Sequence, residues 1–209
     1  MTESQIIRIL LADDHPVVRF GLSTIIGTQA DMTVIGQAAT GLEAVRMFKE
    51  HLPDVTLMDL RMPGLGGAEA IQVIRKDHPG SRFIVVTTYH GDEDIYKALA
   101  AGARGYLLKG MSHFELLEAI RRVHAGSQYL PESVRQSLAS RPPSSELSAR
   151  ELQILTLVIR GQSNKEIANA LGITEGTVKW HMNIILSRLG VEDRTQAAVS
   201  ALQRGIVEI

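Results

Sequence analysis

Apolar residues in the first 125 positions alternate between two spacings. Short, mostly apolar runs occupy residues 6–12, where Arg8 interrupts, and 32–36, 55–58, 83–87 and 105–108. Between them, over residues 16–25, 41–50, 67–77, 92–101 and 112–125, apolar side chains return every three or four positions, as Leu42, Val45 and Phe48 do. Such runs bounded by turn formers read as strands buried on both faces, and the three-to-four spacing reads as amphipathic helix. Five strand–helix units in succession predict a doubly wound α/β domain with a five-stranded parallel sheet, because parallel strands need crossover helices that cover both faces. If the strand order is the flavodoxin-like 2-1-3-4-5, the carboxyl ends of strands one and three share one crevice.

After Gly126 the pattern changes. A helical piece begins at Pro131, and the stretch Arg141-Pro142-Pro143-Ser144-Ser145 has no apolar residue and reads as exposed linker. From Leu147 onward only helical spacing appears, over residues 148–159, 164–171, 175–189 and 193–204. Cap formers stand at Ser148, Ser163 or Asn164, Thr174 and Asp193. The expected organisation is therefore an α/β domain over 1–126, a linker with a short helix over 127–146, and a small all-α domain over 147–209.

Composition narrows the classes. The chain has 209 residues, 44% of them hydrophobic, with a formal net charge of -1, so no global charge bias points to nucleic acid or membrane. There is no cysteine, which excludes disulfides, thiol catalysis and cysteine-ligated zinc. The apolar runs fall far short of the roughly 20 residues of a membrane span, and the first five residues lack a signal peptide's basic region, so a cytoplasmic protein is expected.

Chemistry concentrates at the strand ends. Asp13 and Asp14 follow the first strand, Asp59 ends the third before the turn Pro63-Gly64, and Thr87 and Lys109 end the fourth and fifth. Three carboxylates brought together repel one another unless a hard divalent cation sits among them, and Mg²⁺ suits a site with few protein oxygens. A carboxylate nucleophile, a metal, an ammonium and a hydroxyl form a place for a phosphoryl group on Asp59. His15, without a second metal-type ligand at helical spacing, reads as structural or solvated.

The segments Ala12-Asp13-Asp14-His15, Leu57-Met58-Asp59-Leu60-Arg61-Met62-Pro63-Gly64, Val86-Thr87-Thr88 and Gly105-Tyr106-Leu107-Leu108-Lys109 resemble the receiver domain of bacterial two-component response regulators. The resemblance implies that Asp59 accepts a phosphoryl group from a histidine kinase. It also implies that Asp14, Asp59 and the backbone carbonyl of Arg61 ligate Mg²⁺, that Asp13 holds metal-bound water, that Lys109 and Thr87 contact the phosphate, and that Thr87 and Tyr106 form a switch pair. Gly66 stands where many receivers carry Asp or Asn. A competing reading is a Mg²⁺-dependent aspartyl phosphotransferase or phosphatase. Such enzymes commonly carry a second acid two residues after the nucleophile, where this chain has Arg61, and the expectation is a regulator and not an enzyme.

In the second domain, a helix, a tight turn at Gly172 and a second capped helix make a helix-turn-helix pattern. Val178, Met182, Ile185, Leu186 and Leu189 share one face of the second helix; Gly176, Lys179, Trp180, Asn183 and Ser187 share the other. The segments Leu147-Ser148-Ala149-Arg150-Glu151, Asn164-Lys165-Glu166-Ile167-Ala168, Thr177-Val178-Lys179-Trp180-His181 and Leu189-Gly190-Val191 resemble the LuxR-type helix-turn-helix, so the chain as a whole is similar to response regulators of the NarL/FixJ class. The resemblance implies double-stranded DNA as a partner, Thr177, Lys179, Trp180 and Asn183 as DNA-facing residues, and homodimerisation on phosphorylation through the last helix at Ala197, Ala198 and Ala201. Asn183 replaces a frequent Lys. From Ser144 onward seven basic residues face seven acidic ones, so DNA affinity must come from local placement, helix N-termini and pairing of two copies. A protein-binding trihelical module is the other reading of this half.

Overall fold

The computed structural model describes residues 6–88, 91–139 and 147–207. The linker at 141–145 and the tail Glu208-Ile209 lie outside the described residues. Two compact units emerge among the described residues, one over 6–88 and 95–136, the other over 91–94, 137–139 and 147–207.

The first unit alternates strand and helix: β1 Ile7–Ala12, α1 Pro16–Gly27, β2 Met32–Ala38, α2 Gly41–His51, β3 Val55–Met58, α3 Gly67–Asp77, β4 Phe83–Thr87, α4 Asp92–Ala101, β5 Gly105–Leu108 and α5 His113–His124. The sheet order is β2-β1-β3-β4-β5 and every pairing is parallel. All four residues of β3 and all five of β4 are buried, as the apolar runs require of strands covered on both faces. The core on one side gathers Ile9, Leu11, Val55, Leu57, Ile84 and Val86 against Leu116, Ile120 and Val123 of α5. β2 runs two residues beyond its predicted end, through Gln37 to Ala38, because both residues stay in register with Leu11 and Ala12.

The first unit continues past Gly126. Tyr129 forms a bridge with Gly105, and its carbonyl accepts from the Tyr106 amide at 3.1 Å, so the chain adds a short extension to the exposed edge of β5. α6, Glu132–Ala139, follows, with Val134 buried. Residues 127–136 thus belong to the first unit. The sequence concealed this because a single bridge leaves no periodic pattern.

The second unit is four helices: α7 Ala149–Ile159, α8 Asn164–Leu171, α9 Glu175–Leu189 and α10 Arg194–Gln203. Ser148, Ser163, Thr174 and Asp193 each cap the following helix with a side-chain oxygen. α8 and α9 end at Gly172 and Gly190, whose φ values of 64° and 67° are left-handed and cost glycine little. Ile154, Ile167, Val178, Ile185 and Ala201 are among its fully buried core residues. Buried Glu151 accepts from the Ser148 amide at 2.7 Å and pairs with Arg188 at 2.5 Å, tying the start of α7 to α9. No helix among the described residues is long and apolar enough to cross a membrane.

Candidate functional site

The carboxyl edge of the sheet builds the first site. β1 and β3 are neighbours, with Ala12 opposite Met58, so the residues immediately after them come together. The Asp59 amide donates to the Ala12 carbonyl at 2.8 Å, and the Asp13 amide donates to the Ala38 carbonyl at 3.1 Å, fixing both acids by extending the strand ladders. Lys109 is fixed the same way, its amide donating to the Thr87 carbonyl at 2.7 Å. Gly67 opens α3 directly beneath Asp59. Its amide donates to the Leu60 carbonyl at 2.8 Å, and a Cβ there would collide with the Asp59 carbonyl. Only glycine allows that approach.

Asp13 and Asp59 are buried, 2% and 3% exposed, whereas the Asp14 side chain keeps 31% of its surface. The Lys109 ammonium lies 2.5 Å from Asp59 Oδ2 and 2.7 Å from Asp13 Oδ2, with its side chain 10% exposed. Burial would push this lysine's pKa down; hydrogen bonds and the charges of Asp13 and Asp59 outweigh burial and hold it above its usual value. The Lys109 ammonium therefore contacts two buried carboxylates, with Asp14 beside them.

The donor set fits a hard divalent cation. Asp13, Asp14, Asp59 and His15 can each direct one ligand atom so that all lie within 4.8 Å of one another. Asp13 Oδ2 and Asp14 Oδ1 are withdrawn from solvent, each with a single close polar neighbour among the described residues, Lys109 at 2.7 Å from the first and His15 at 2.6 Å from the second. Oxygens left short of partners beside an excess of negative charge are what a bound cation satisfies. Arg61 lines the same cleft, together with Thr88, Val18 and His15.

The structure thus brings together Asp13, Asp14, Asp59 and Lys109, with Arg61 at the rim. Thr87 is fully buried at the end of β4, where its register partner is Leu108, next to Lys109. Tyr106 is also fully buried, so its ring already occupies the interior. His15 keeps 65% of its side-chain surface exposed. It joins the acidic cluster, its Nδ1 2.6 Å from Asp14 Oδ1. Spacing along a helix could not show this, because His15 precedes the helix and meets the acids through a loop.

The second candidate site lies on α9. Val178, Met182, Ile185 and Leu189 are buried, and Lys179, Trp180 and Asn183 are exposed on the other side, the indole at 60%. Thr177 is half-buried and its hydroxyl shares a 2.9 Å hydrogen bond with the capping Thr174, so part of its capacity serves the helix start. The dimer assignment needs correction. Ala197 and Ala201 are fully buried in the unit's own core and Ala198 is half-buried against it. Their small side chains let α10 pack closely on its own domain; the apolar residues this helix exposes are Val199 and Leu202.

Residues 9–121 match the response regulator receiver domain family, and residues 145–201 match the bacterial regulatory proteins of the luxR family. The response regulator protein VraR of Staphylococcus aureus is 41% identical over 207 residues, spanning 97% of this chain and 99% of that protein. Among solved structures, the response regulator ChrA of a heme-sensing two-component system is 37% identical, covers 97% of this chain and 99% of its own, and superposes with a TM-score of 0.58. The two-component response regulator RcsB in complex with DNA is 25% identical, covers 95% and 99%, and has a TM-score of 0.70. Receiver and helix-turn-helix therefore occur here in the order and proportions of these relatives, and the chain belongs to the two-component response regulators with a LuxR-type DNA-binding domain.

Proposed function

We propose that Asp59 is the phosphoacceptor of this regulator and that its phosphorylation by a histidine kinase in the cytoplasm controls pairing of two copies on double-stranded DNA. The observation that carries the reading is the buried Asp59 carboxylate at the mouth of a cleft, 2.5 Å from Lys109 and within reach of two further acids. An Asp59 oxygen attacks the phosphorus of a phosphohistidine; the P–O bond forms as the P–N bond breaks, and the imidazole nitrogen leaves with the electron pair. Lys109 holds a phosphoryl oxygen in place of the carboxylate it now contacts, and the Thr87 hydroxyl approaches another. Asp13, Asp14, Asp59 and the Arg61 carbonyl would hold Mg²⁺, which when bound supplies the positive charge that offsets the anionic carboxylates and phosphoryl group.

The new group carries a charge near -2 and three acceptor oxygens. As Thr87 turns to them, it and the buried Tyr106 repack, and the surface around β4 and β5 changes with them. Moving a two-state equilibrium from mostly inactive to mostly active needs about 5 kcal/mol of differential stabilisation. On α9, Lys179, Trp180 and Asn183 are the side chains we assign to the major groove, with the hydroxyl of Thr177 at the helix start. The exposed face of α10 is assigned to the copy-to-copy contact.

Incubation with a small phosphodonor and Mg²⁺, read by intact mass, tests the acceptor. One phosphoryl adduct is expected on the native chain and none on Asp59→Ala. An adduct that survives the substitution overturns the assignment, and rapid turnover of the donor without a stable adduct favours an enzyme.

A further inference from the structure

We propose that His15 is a fourth donor to the divalent cation at Asp13, Asp14 and Asp59, and that its imidazole shifts the site's preference from Mg²⁺ toward divalent transition ions, Mn²⁺ least among them and usable as a paramagnetic probe. The inference rests on reading those acids as a metal site.

Position comes first. His15 precedes Pro16, which confines its backbone to the extended region, and it is found there at φ -85° and ψ 111°. Its amide donates to Asp13 Oδ1 at 2.9 Å. The residue is thereby clamped between the acids and the first turn of α1. Although it occupies the N-cap position, its side chain makes no capping hydrogen bond, so the ring is not committed to the helix.

The ring faces the acids instead. Nδ1 is 2.6 Å from Asp14 Oδ1 and 3.3 Å from Asp13 Oδ1. Nδ1 and Asp14 Oδ1 pair closely with each other, and both are placed where an arriving cation would take up the ring nitrogen and the carboxylate oxygen together. Asp13, itself 2% exposed, turns Oδ1 toward the ring at 3.3 Å while its Oδ2 faces Lys109 at 2.7 Å. The remainder of the imidazole is open to solvent, with the side chain 65% exposed, so the donor is accessible to an arriving hydrated ion.

The donor chemistry sets the preference. Carboxylate and carbonyl oxygens serve Mg²⁺ and Mn²⁺ alike, whereas an imidazole nitrogen favours transition ions over Mg²⁺, which keeps to oxygen. The expected consequence is a ranking of ions that depends on one side chain outside the acidic set.

The test is pulsed electron paramagnetic resonance on the full chain loaded with Mn²⁺ alone, which detects nitrogen nuclei bound to the ion. Nitrogen modulation is expected in the native chain and not in His15→Ala or His15→Gln. Mn²⁺ affinity should fall by about tenfold in His15→Ala, the scale on which groups around a metal act, with a much smaller change in Mg²⁺ affinity measured by competition. Bound Mn²⁺ without nitrogen modulation in the native chain overturns the role of His15 and leaves the acidic site standing. Modulation that persists in both variants assigns the nitrogen to another histidine and overturns it equally. Mn²⁺ binding that is absent, or that Asp59→Ala leaves unchanged, overturns both readings.

Discussion

Replacing Lys109 by methionine should expose how much of the receiver's stability depends on one ammonium. The substitution keeps most of the side-chain volume and removes the ammonium that contacts both Asp13 and Asp59, whose side chains are 3% and 4% exposed. Breaking a buried pair by deleting one partner costs about 3–5 kcal/mol, because the other partner stays charged and desolvated. The expected loss is therefore about 3–5 kcal/mol at pH 7 without divalent ions, or roughly 10–20 °C in melting temperature for a domain of this size. Urea unfolding in a chelator, followed by far-UV circular dichroism, measures it. Trp180, the single tryptophan, lies in the second unit and supplies an internal reference by fluorescence. Two signatures distinguish this cause from a packing defect: millimolar Mg²⁺ should restore part of the loss, and Asp59→Asn in the Lys109→Met background should restore more than half of it. A loss under about 1 kcal/mol, or one that neither treatment changes, would refute the electrostatic reasoning.

The same lysine gives a pH dependence. Its folded-state value is raised, so its stabilisation is present below the ordinary value of 10.5 and is lost as pH rises through the higher folded value; native stability should fall in that alkaline range and Lys109→Met stability should not fall with it. Gly67→Ala should drive a methyl into the Asp59 carbonyl, costing about 1–3 kcal/mol in denaturant unfolding and slowing adduct formation from a small phosphodonor. Glu151→Ala removes both the Arg188 ion pair and one half of the capping box at Ser148, and should lower the stability of the second unit by about 2–4 kcal/mol, seen by Trp180 fluorescence. Lys179→Ala should weaken DNA binding with unchanged helicity and reduce the salt dependence of log K by about one, whereas an unchanged slope would remove Lys179 from the phosphate contacts.

Most of the first unit was legible in the sequence because it is a parallel sheet. Strands buried on both faces leave near-continuous apolar runs, and such runs located β3 and β4 to the residue. The acidic site was legible for a related reason: the sheet order alone brings the residues after β1 and β3 together, so Asp13 and Asp59 could be paired before any geometry was known. Contacts made without periodicity were not legible. Tyr129 joins the β5 edge through a single bridge, and His15 reaches Asp14 across a pre-helical turn. Ala197 and Ala201 fail in another way: small apolar residues on a terminal helix suit a close contact, but a sequence does not say whether that contact is with the same domain or another copy, and their complete burial here places it within the domain.

The central claim is that a phosphoryl group on Asp59 governs occupancy of DNA. Its most direct test is capture of genomic DNA fragments by the full chain with Mg²⁺, with and without a small phosphodonor, run in parallel on Asp59→Ala. The expected result is enrichment of fragments carrying paired half-sites that requires both the donor and Asp59. Identical capture with and without the donor, or donor-dependent capture that persists in Asp59→Ala, would contradict the claim.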